Sequence, residues 1–128
     1  NLLLAFMKMG AKPMRANKMD MLVAETIMRQ IHCGVDAHGK SGRKMMMCWG
    51  AHRVYGSVDE SEGGRGFLSM MVNGYLFTGE VKINLAWNDT YTVEFIEPNG
   101  NCITVLHNIY FDELANVIDR YVENEKNV

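Results

Sequence analysis

The sequence predicts an α+β fold: an antiparallel sheet of about five strands with an N-terminal and a C-terminal helix packed on it. Two observations predict this fold. Apolar and polar residues alternate with a period of two over 80–87 and 90–97, which is typical of half-buried antiparallel strands. Apolar residues recur at helical spacing over 20–32 and again beyond residue 110. An open sheet needs one face covered, and two amphipathic helices can supply that cover.

The first helix is predicted at about 20–32. Its apolar residues recur at i, i+3, i+4 and i+7, so they form one stripe on the helix surface. They are Ala24, Ile27, Met28 and Ile31. Asn17 or Asp20 is suited to cap the start of this helix, and Gly34 is suited to end it.

A loop and a first strand are predicted next. Residues 34–43 are rich in glycine, which favours a loop. The run KMMMCW that follows is apolar after its lysine, is too short for a stable helix and precedes Gly50. It therefore predicts a buried strand at about 44–49 that could extend to Val54. Residues 56–66 are acidic and glycine-rich and predict an exposed connection.

Three further strands are predicted in the centre of the chain. The run FLSMMV at 67–72 predicts one, and Asn73-Gly74 indicates a two-residue hairpin turn after it. The alternating segments 80–87 and 90–97 are the other two, joined by a tight Asn-Asp turn. Trp87 alternates onto the same face as Val81, Ile83 and Leu85. The residues predicted to point into the core are Val81, Ile83, Leu85, Tyr91, Val93 and Phe95. Thr92 lies on the opposite face and is expected to contact solvent or a partner.

The last strand and the C-terminal helix follow a second turn. The Pro-Asn-Gly-Asn sequence at 98–101 favours a turn and leads into a β-branched strand at 102–107. The helix after it is predicted from one apolar stripe. The stripe consists of Phe111, Leu114, Ala115, Ile118, Tyr121 and Val122. Asn108 is a suitable N-cap, with Asp112 and Glu113 in the first turn, where the helix dipole favours anions.

The chain of 128 residues suits one domain, which we place at 17–128. Residues 1–16 begin with an apolar burst followed by basic residues, the reverse of a secretory signal, and are expected to be a leader, a tag or a flexible segment. Three cysteines are an odd number and fit a reducing cytoplasm. No apolar run approaches the roughly 20 residues that span a bilayer, so no membrane association is expected.

Charge is distributed unevenly along the chain. Residues 1–53 carry nine Lys and Arg against three acids, whereas residues 54–128 carry four against twelve. Such asymmetry can mark a basic binding face or self-association, and it is also compatible with two faces of one domain that neutralise each other.

One central stretch carries a family resemblance. Ile83 and Leu85 precede the sequence DTYTVEF at 89–95. Further matching residues are Gln30-Ile31, Met47, Gly50-Ala51-His52, Phe111-Asp112 and Leu114. This pattern, over about 20–123, resembles a small family of uncharacterised proteins from phages, prophages and other bacterial mobile elements. The loop at 33–43 is longer than in that family, and His52 replaces its usual lysine. The resemblance implies the fold and a mobile-element origin within a bacterial host, and implies no activity.

Two residue sets have the chemistry of reactive sites. Cys33, His38, Cys48 and His52 could in principle hold tetrahedral zinc. Their spacing is irregular, and a strand at 44–49 would separate the last two by roughly 13 Å. Cys48 with His52 or His107 has the residue types for covalent catalysis, but no oxyanion signal accompanies it. We therefore expect no metal, no other cofactor and no enzymatic activity.

The sequence GVDAHGKS at 34–41 matches the pattern of a phosphate-binding loop. Such a loop follows a strand and enters a helix, whereas this one is predicted to follow a helix and enter a strand. The match is therefore interpreted as accidental, and no nucleotide hydrolysis through Lys40 is expected.

The function predicted from these observations is that of a small non-enzymatic binding protein. Its expected partner is another protein, for example a host-defence component, and a homodimer stays open. The first alternative is a nucleic-acid-binding accessory protein that uses the basic region 38–55. The candidate binding residues there are Lys40, Arg43, Lys44, Trp49, His52, Arg53 and Tyr55. The second alternative is a small zinc-binding domain.

Overall fold

The computed structural model describes residues 18–57 and 65–123. The described helices are α1 (Lys18–His32), α2 (Gly42–Trp49) and α3 (Leu114–Val122). The strands are β1 (His52–Ser57), β2 (Phe67–Asn73), β3 (Thr78–Leu85), β4 (Tyr91–Ile96) and β5 (Cys102–Ile109). The predicted leader at 1–16 and most of the predicted connection at 56–66 lie outside the described residues.

The five strands form one antiparallel sheet in the order β1-β2-β3-β4-β5, so each strand pairs with its neighbours in sequence. The helices and one face of this sheet share a single hydrophobic core. This arrangement confirms the predicted α+β class and the predicted helices near both ends. None of the described helices has the length and apolar character needed to cross a membrane.

The predicted inward face of the central hairpin is confirmed for most of its residues. The buried ones are Val81, Ile83, Tyr91, Val93 and Phe95. Leu85 is half-buried and packs against the same core. Trp87 is an exception, because β3 ends at Leu85 and the indole lies in the following turn with 71% of its surface exposed.

The predicted strand at 44–49 is wrong, because this segment is helix α2. Ser41 caps its start by accepting a hydrogen bond from the Lys44 amide at 3.2 Å. Gly50 ends it in the left-handed conformation, with φ of 64°. Met45 and Trp49, four residues apart, are buried, while Met47 between them is 79% exposed. The unbroken apolar run concealed this helical period, and the strand near Val54 is the separate β1.

The C-terminal helix begins later than predicted. Tyr110 and Glu113 form a closed turn before it, in which the Tyr110 amide donates to Glu113 Oε2 and the Glu113 amide donates to the Tyr110 carbonyl, each at 3.0 Å. Phe111 and Asp112 therefore precede α3, and Phe111 is exposed rather than part of the stripe. Asn108 is not the N-cap, since it lies in β5 with φ of 56°. The stripe from Leu114 onward is confirmed.

The β2–β3 hairpin is confirmed, but its turn is longer than the predicted two residues. Asn73 pairs with Thr78, so the connection comprises residues 74–77. Gly74 is required there by close packing, because a Cβ on it would lie 2.2 Å from Val122 Cγ1.

The sheet face opposite the helices, here called the back face, buries polar side chains. Thr92 is 3% exposed, which contradicts the expectation that it contacts solvent. Its neighbour on β3 is Asn84, which in turn pairs with Phe67 on β2. A central strand has a neighbouring strand on each side. The side chains of those neighbouring strands exclude water even where no helix covers the sheet. Asn84 is 0% exposed, and its amide nitrogen and oxygen have no hydrogen-bond partner among the described residues.

We expect Asn84→Val to raise the free energy of unfolding by about 1–2 kcal/mol, because it removes a desolvated amide and places a β-branched residue in a strand. Urea denaturation measures this change. Asn101→Val, at an exposed asparagine just before β5, is the control and is expected to change stability by less than about 0.5 kcal/mol. A loss of stability in Asn84→Val would mean that the amide is hydrogen-bonded in the protein.

Candidate binding surfaces

The structure separates the seven candidate residues of the basic region. Trp49 is completely buried, and its Nε1 donates to Asp119 Oδ1 at 2.8 Å. Lys40 places its ammonium 3.5 Å from the other oxygen of the same carboxylate. Trp49 therefore cannot stack on a base, and Lys40 is already paired. Through Asp119 on α3, Lys40 connects the 33–41 loop to that helix, and Trp49 connects α2 to it.

The remaining five residues lie on different parts of the surface. Arg43 and Lys44 are exposed in the first turn of α2. His52 contacts the Gly50 carbonyl through Nδ1 at 2.8 Å, and Arg53 is exposed with φ of 50°. Tyr55 lies on the back face, edge-on to the Phe67 ring. The structure therefore does not bring basic and aromatic groups together into one nucleic-acid surface.

The phosphate-loop match has a different structural context from the one predicted. It follows α1 as expected, but it enters helix α2 rather than a strand. The Asp36 carboxylate accepts hydrogen bonds from the His38 and Lys40 amides, both at 2.8 Å. These bonds, the Lys40 bond first, lower the pKa of Asp36 below its usual range. A carboxylate of the chain itself thus occupies the amides that a phosphate would need.

The four candidate zinc ligands do not come together. Cys33, Cys48 and Cys102 are free and exposed. In the part of the chain that the structure describes, no three histidine, cysteine or acidic side chains are close enough to hold a metal ion. His107 lies 3.5 Å from Thr92 Oγ1 on the back face, and His52 faces Gly50, so neither imidazole is hydrogen-bonded to Cys48.

A cleft that the sequence did not predict lies beside the end of α1. Its volume is about 410 Å³. It is lined by Arg29, Gln30, Cys33, Gly34, Val35, Phe111 and Asp112. The lining comes from two segments roughly eighty residues apart, the α1 end with its loop and the β5–α3 connection. Only the folded chain brings these segments together, so no local sequence motif could have predicted the cleft.

Two exposed apolar side chains, Val35 and Phe111, line this cleft, and Tyr110 precedes Phe111 in the chain. Tyr110 and Phe111 are 58% and 59% exposed, and Val35 is 55% exposed. We call these three residues the Tyr110–Phe111–Val35 surface. Its backbone is held firmly, because Asn116 Nδ2 donates to the Val35 carbonyl at 3.1 Å and the Tyr110 turn is closed. A rigid, exposed apolar surface next to a cleft is a common feature of protein-binding sites.

The polar residues near the cleft are mostly neutral or engaged. Burial raises the pKa of Tyr91, so its hydroxyl stays protonated and donates to Gln30 Oε1 at 2.7 Å. Burial, and secondarily the nearby Arg43, lowers the pKa of His32, which favours its neutral form. Arg29 and Asp112 contribute one charge of each sign.

Other exposed apolar side chains are scattered over the surface. Trp87 lies under the Arg65 guanidinium, 5.3 Å from the ring centroid. Tyr75 and Leu76 lie in the β2–β3 connection and are 77% and 45% exposed. Exposed hydrophobic residues are normal on protein surfaces, so these carry less weight than apolar side chains that line a cleft.

Comparisons with protein-family models, with curated proteins and with solved structures find no match to this chain. The resemblance to proteins of bacterial mobile elements is tested by none of them and stays a prediction.

Proposed function

We propose that this chain is a small non-enzymatic binding protein of phage or mobile-element origin that binds another protein through the Tyr110–Phe111–Val35 surface. The observation that supports this proposal most strongly is that Phe111 and Val35, 59% and 55% exposed, line a cleft of about 410 Å³, with the 58% exposed Tyr110 next to Phe111 in the chain. Aromatic residues that insert into a partner contribute much of the binding energy in protein interfaces. A component of a bacterial host-defence system is the partner that the mobile-element resemblance favours.

Rigidity supports the same surface. Binding costs less entropy when the contact residues are already ordered. The Tyr110–Glu113 turn and the Asn116–Val35 hydrogen bond fix the two segments that carry Val35 and Phe111. The cleft between them could receive one side chain of a partner, which gives the surface a means of specificity.

Nucleic-acid binding is the weaker alternative, and zinc binding is weaker still. Arg43 and Lys44 are exposed and could contact phosphates. The aromatic residues expected beside them do not support base stacking, because Trp49 is buried and Tyr55 is on the back face. The separation of the four candidate ligands argues against zinc.

A comparative pull-down tests the proposal. The purified chain is immobilised, exposed to a nuclease-treated bacterial lysate and analysed by quantitative mass spectrometry. A double variant, Tyr110→Ser with Phe111→Ser, is expected to recover at least about tenfold less partner than the wild type, because both aromatic contacts are lost. Tyr75→Ser removes a different aromatic side chain, 77% exposed in the β2–β3 connection, and is expected to bind like the wild type.

The recovered protein is then purified and titrated against the same variants by calorimetry. The proposal is contradicted if no protein is enriched, or if the double variant and the wild type bind it equally. If a protein is recovered only when the lysate is not treated with nuclease, the result would instead support the nucleic-acid alternative.

A further inference from the structure

We propose that two copies of this chain associate through β5, which pairs antiparallel with its own copy across a two-fold axis at Val105. The two five-stranded sheets would then form one continuous sheet. This inference is independent of the protein partner proposed above, because it uses the edge of the sheet rather than the Tyr110–Phe111–Val35 surface.

The edge position of β5 is the first observation. β5 is the last strand of the sheet, and no other described segment pairs with its outer edge. Charged residues make up 22% of the chain, yet residues 98–111 contain no Asp, Glu, Lys or Arg. Natural proteins protect free edges with charges, and interface cores are depleted of them. The other edge strand, β1, carries the exposed charge of Arg53.

The second observation is the position of two bulges on β5. Pairing with β4 shows one extra residue between Cys102 and Thr104 and another between Leu106 and Ile109. Only Thr104–Leu106 is therefore regularly paired, with Val105 at its centre. Bulges interrupt an edge and so restrict which residues an added strand can pair with. This restriction places the two-fold axis at Val105, with Thr104 of one copy opposite Leu106 of the other.

The side chains along this stretch suit contact with an identical strand. Val105 and Ile103 are 41% and 46% exposed. Across the axis Val105 would face its own copy, and β-branched cross-strand pairs stabilise antiparallel strands. Self-association across a two-fold axis brings residues at the axis near their own copies, so a charge there would repel its copy, whereas β5 carries no Asp, Glu, Lys or Arg. These features favour a second copy over a foreign strand.

Light scattering after size exclusion tests the association over about 1 to 200 μM, a range that covers micromolar affinities. The wild type is expected to approach twice the chain mass of 14.5 kDa. Val105→Lys is expected to remain at 14.5 kDa, because it places two like charges at the axis. Tyr55→Lys changes a residue of equal 41% exposure on the opposite edge strand and is expected to keep the dimer.

Mixing two charge variants tests the register itself. Val105→Lys and Val105→Glu are each expected to be monomeric alone, and an equimolar mixture is expected to recover the dimer, since opposite charges then meet at the axis. Hydrogen exchange on the wild type needs no substitution. Among the amides of Thr104–Leu106, those that point away from β4 should gain protection as concentration rises. A wild type that stays monomeric, a dimeric Val105→Lys, or a mixture that stays monomeric would each overturn the proposal.

Discussion

Replacing Phe95 with alanine is expected to lower the free energy of unfolding by about 3–5 kcal/mol. Phe95 lies in β4 and is 0% exposed. Its ring stacks on Tyr121 with centroids 3.9 Å apart and meets Phe77 edge-on at 5.6 Å. The substitution removes a large buried side chain and leaves a cavity that the two remaining rings only partly fill. Typical domains are stable by 5–15 kcal/mol, so the loss is a large share of the total.

Thr92→Ala is the matched control, because Thr92 is in the same strand on the back face. It is expected to cost about 1 kcal/mol, although the side chain is buried. Its hydroxyl makes only a long contact of 3.5 Å with His107, and alanine leaves a much smaller space. Guanidinium denaturation of both variants gives the comparison. If Thr92→Ala were the more damaging of the two, the core would lie on the back face and the assignment of the two faces would be reversed.

The fold could be predicted from sequence to a large extent because its signals are local. Alternation over β3 and β4 depends only on which side chains face the core, and this pattern was sufficient to place Val81, Val93 and Phe95 inward. The stripe of α1 likewise follows from the spacing of Ala24, Ile27 and Ile31. Such patterns can be recognised in the sequence without knowledge of any tertiary contact.

Helix α2 could not be predicted from the same signals, because periodicity disappears when consecutive residues are all apolar. Met45, Met46, Met47 and Cys48 differ in exposure only because the folded chain covers some of them. The decisive contact for Trp49 is with Asp119, seventy residues further along the chain. The N-cap Ser41 and the C-cap Gly50 were local signals for this helix, and both were visible in the sequence.

The candidate site was harder to predict than the fold. The basic residues of 38–55 are adjacent in sequence but point to different surfaces, since a helix, a turn and a bulged strand follow one another there. Conversely, Val35 and Phe111 are far apart in sequence and line one cleft. The closed turn between Tyr110 and Glu113 is what exposes Phe111. Both hydrogen bonds of that turn use the backbone of Tyr110, so the aromatic ring gave no local signal for the turn.

Gly42→Ala is expected to be the second strongly destabilising change, costing roughly 3 kcal/mol or more. Gly42 is the first residue of α2, and its φ is not in the left-handed region. In a helix with open surroundings, alanine would be the more stable residue by about 0.5–1 kcal/mol. Here a Cβ would lie 1.6 Å from the Ile31 carbonyl oxygen and 3.1 Å from His32 Cα. These are backbone atoms, so the two helices would have to move apart.

The control for this change is Gly39→Ala, three residues earlier in the loop that leads into α2. Gly39 has a φ of 85°, and a Cβ on it would meet nothing within 4 Å. Alanine there is expected to cost only about 1–2 kcal/mol, from the left-handed backbone alone. Urea denaturation of the two variants distinguishes steric from conformational cost. If Gly39→Ala were the more destabilising, then α2 would not pack against the end of α1. The loop residues that line the cleft beside the end of α1 would then also be placed differently.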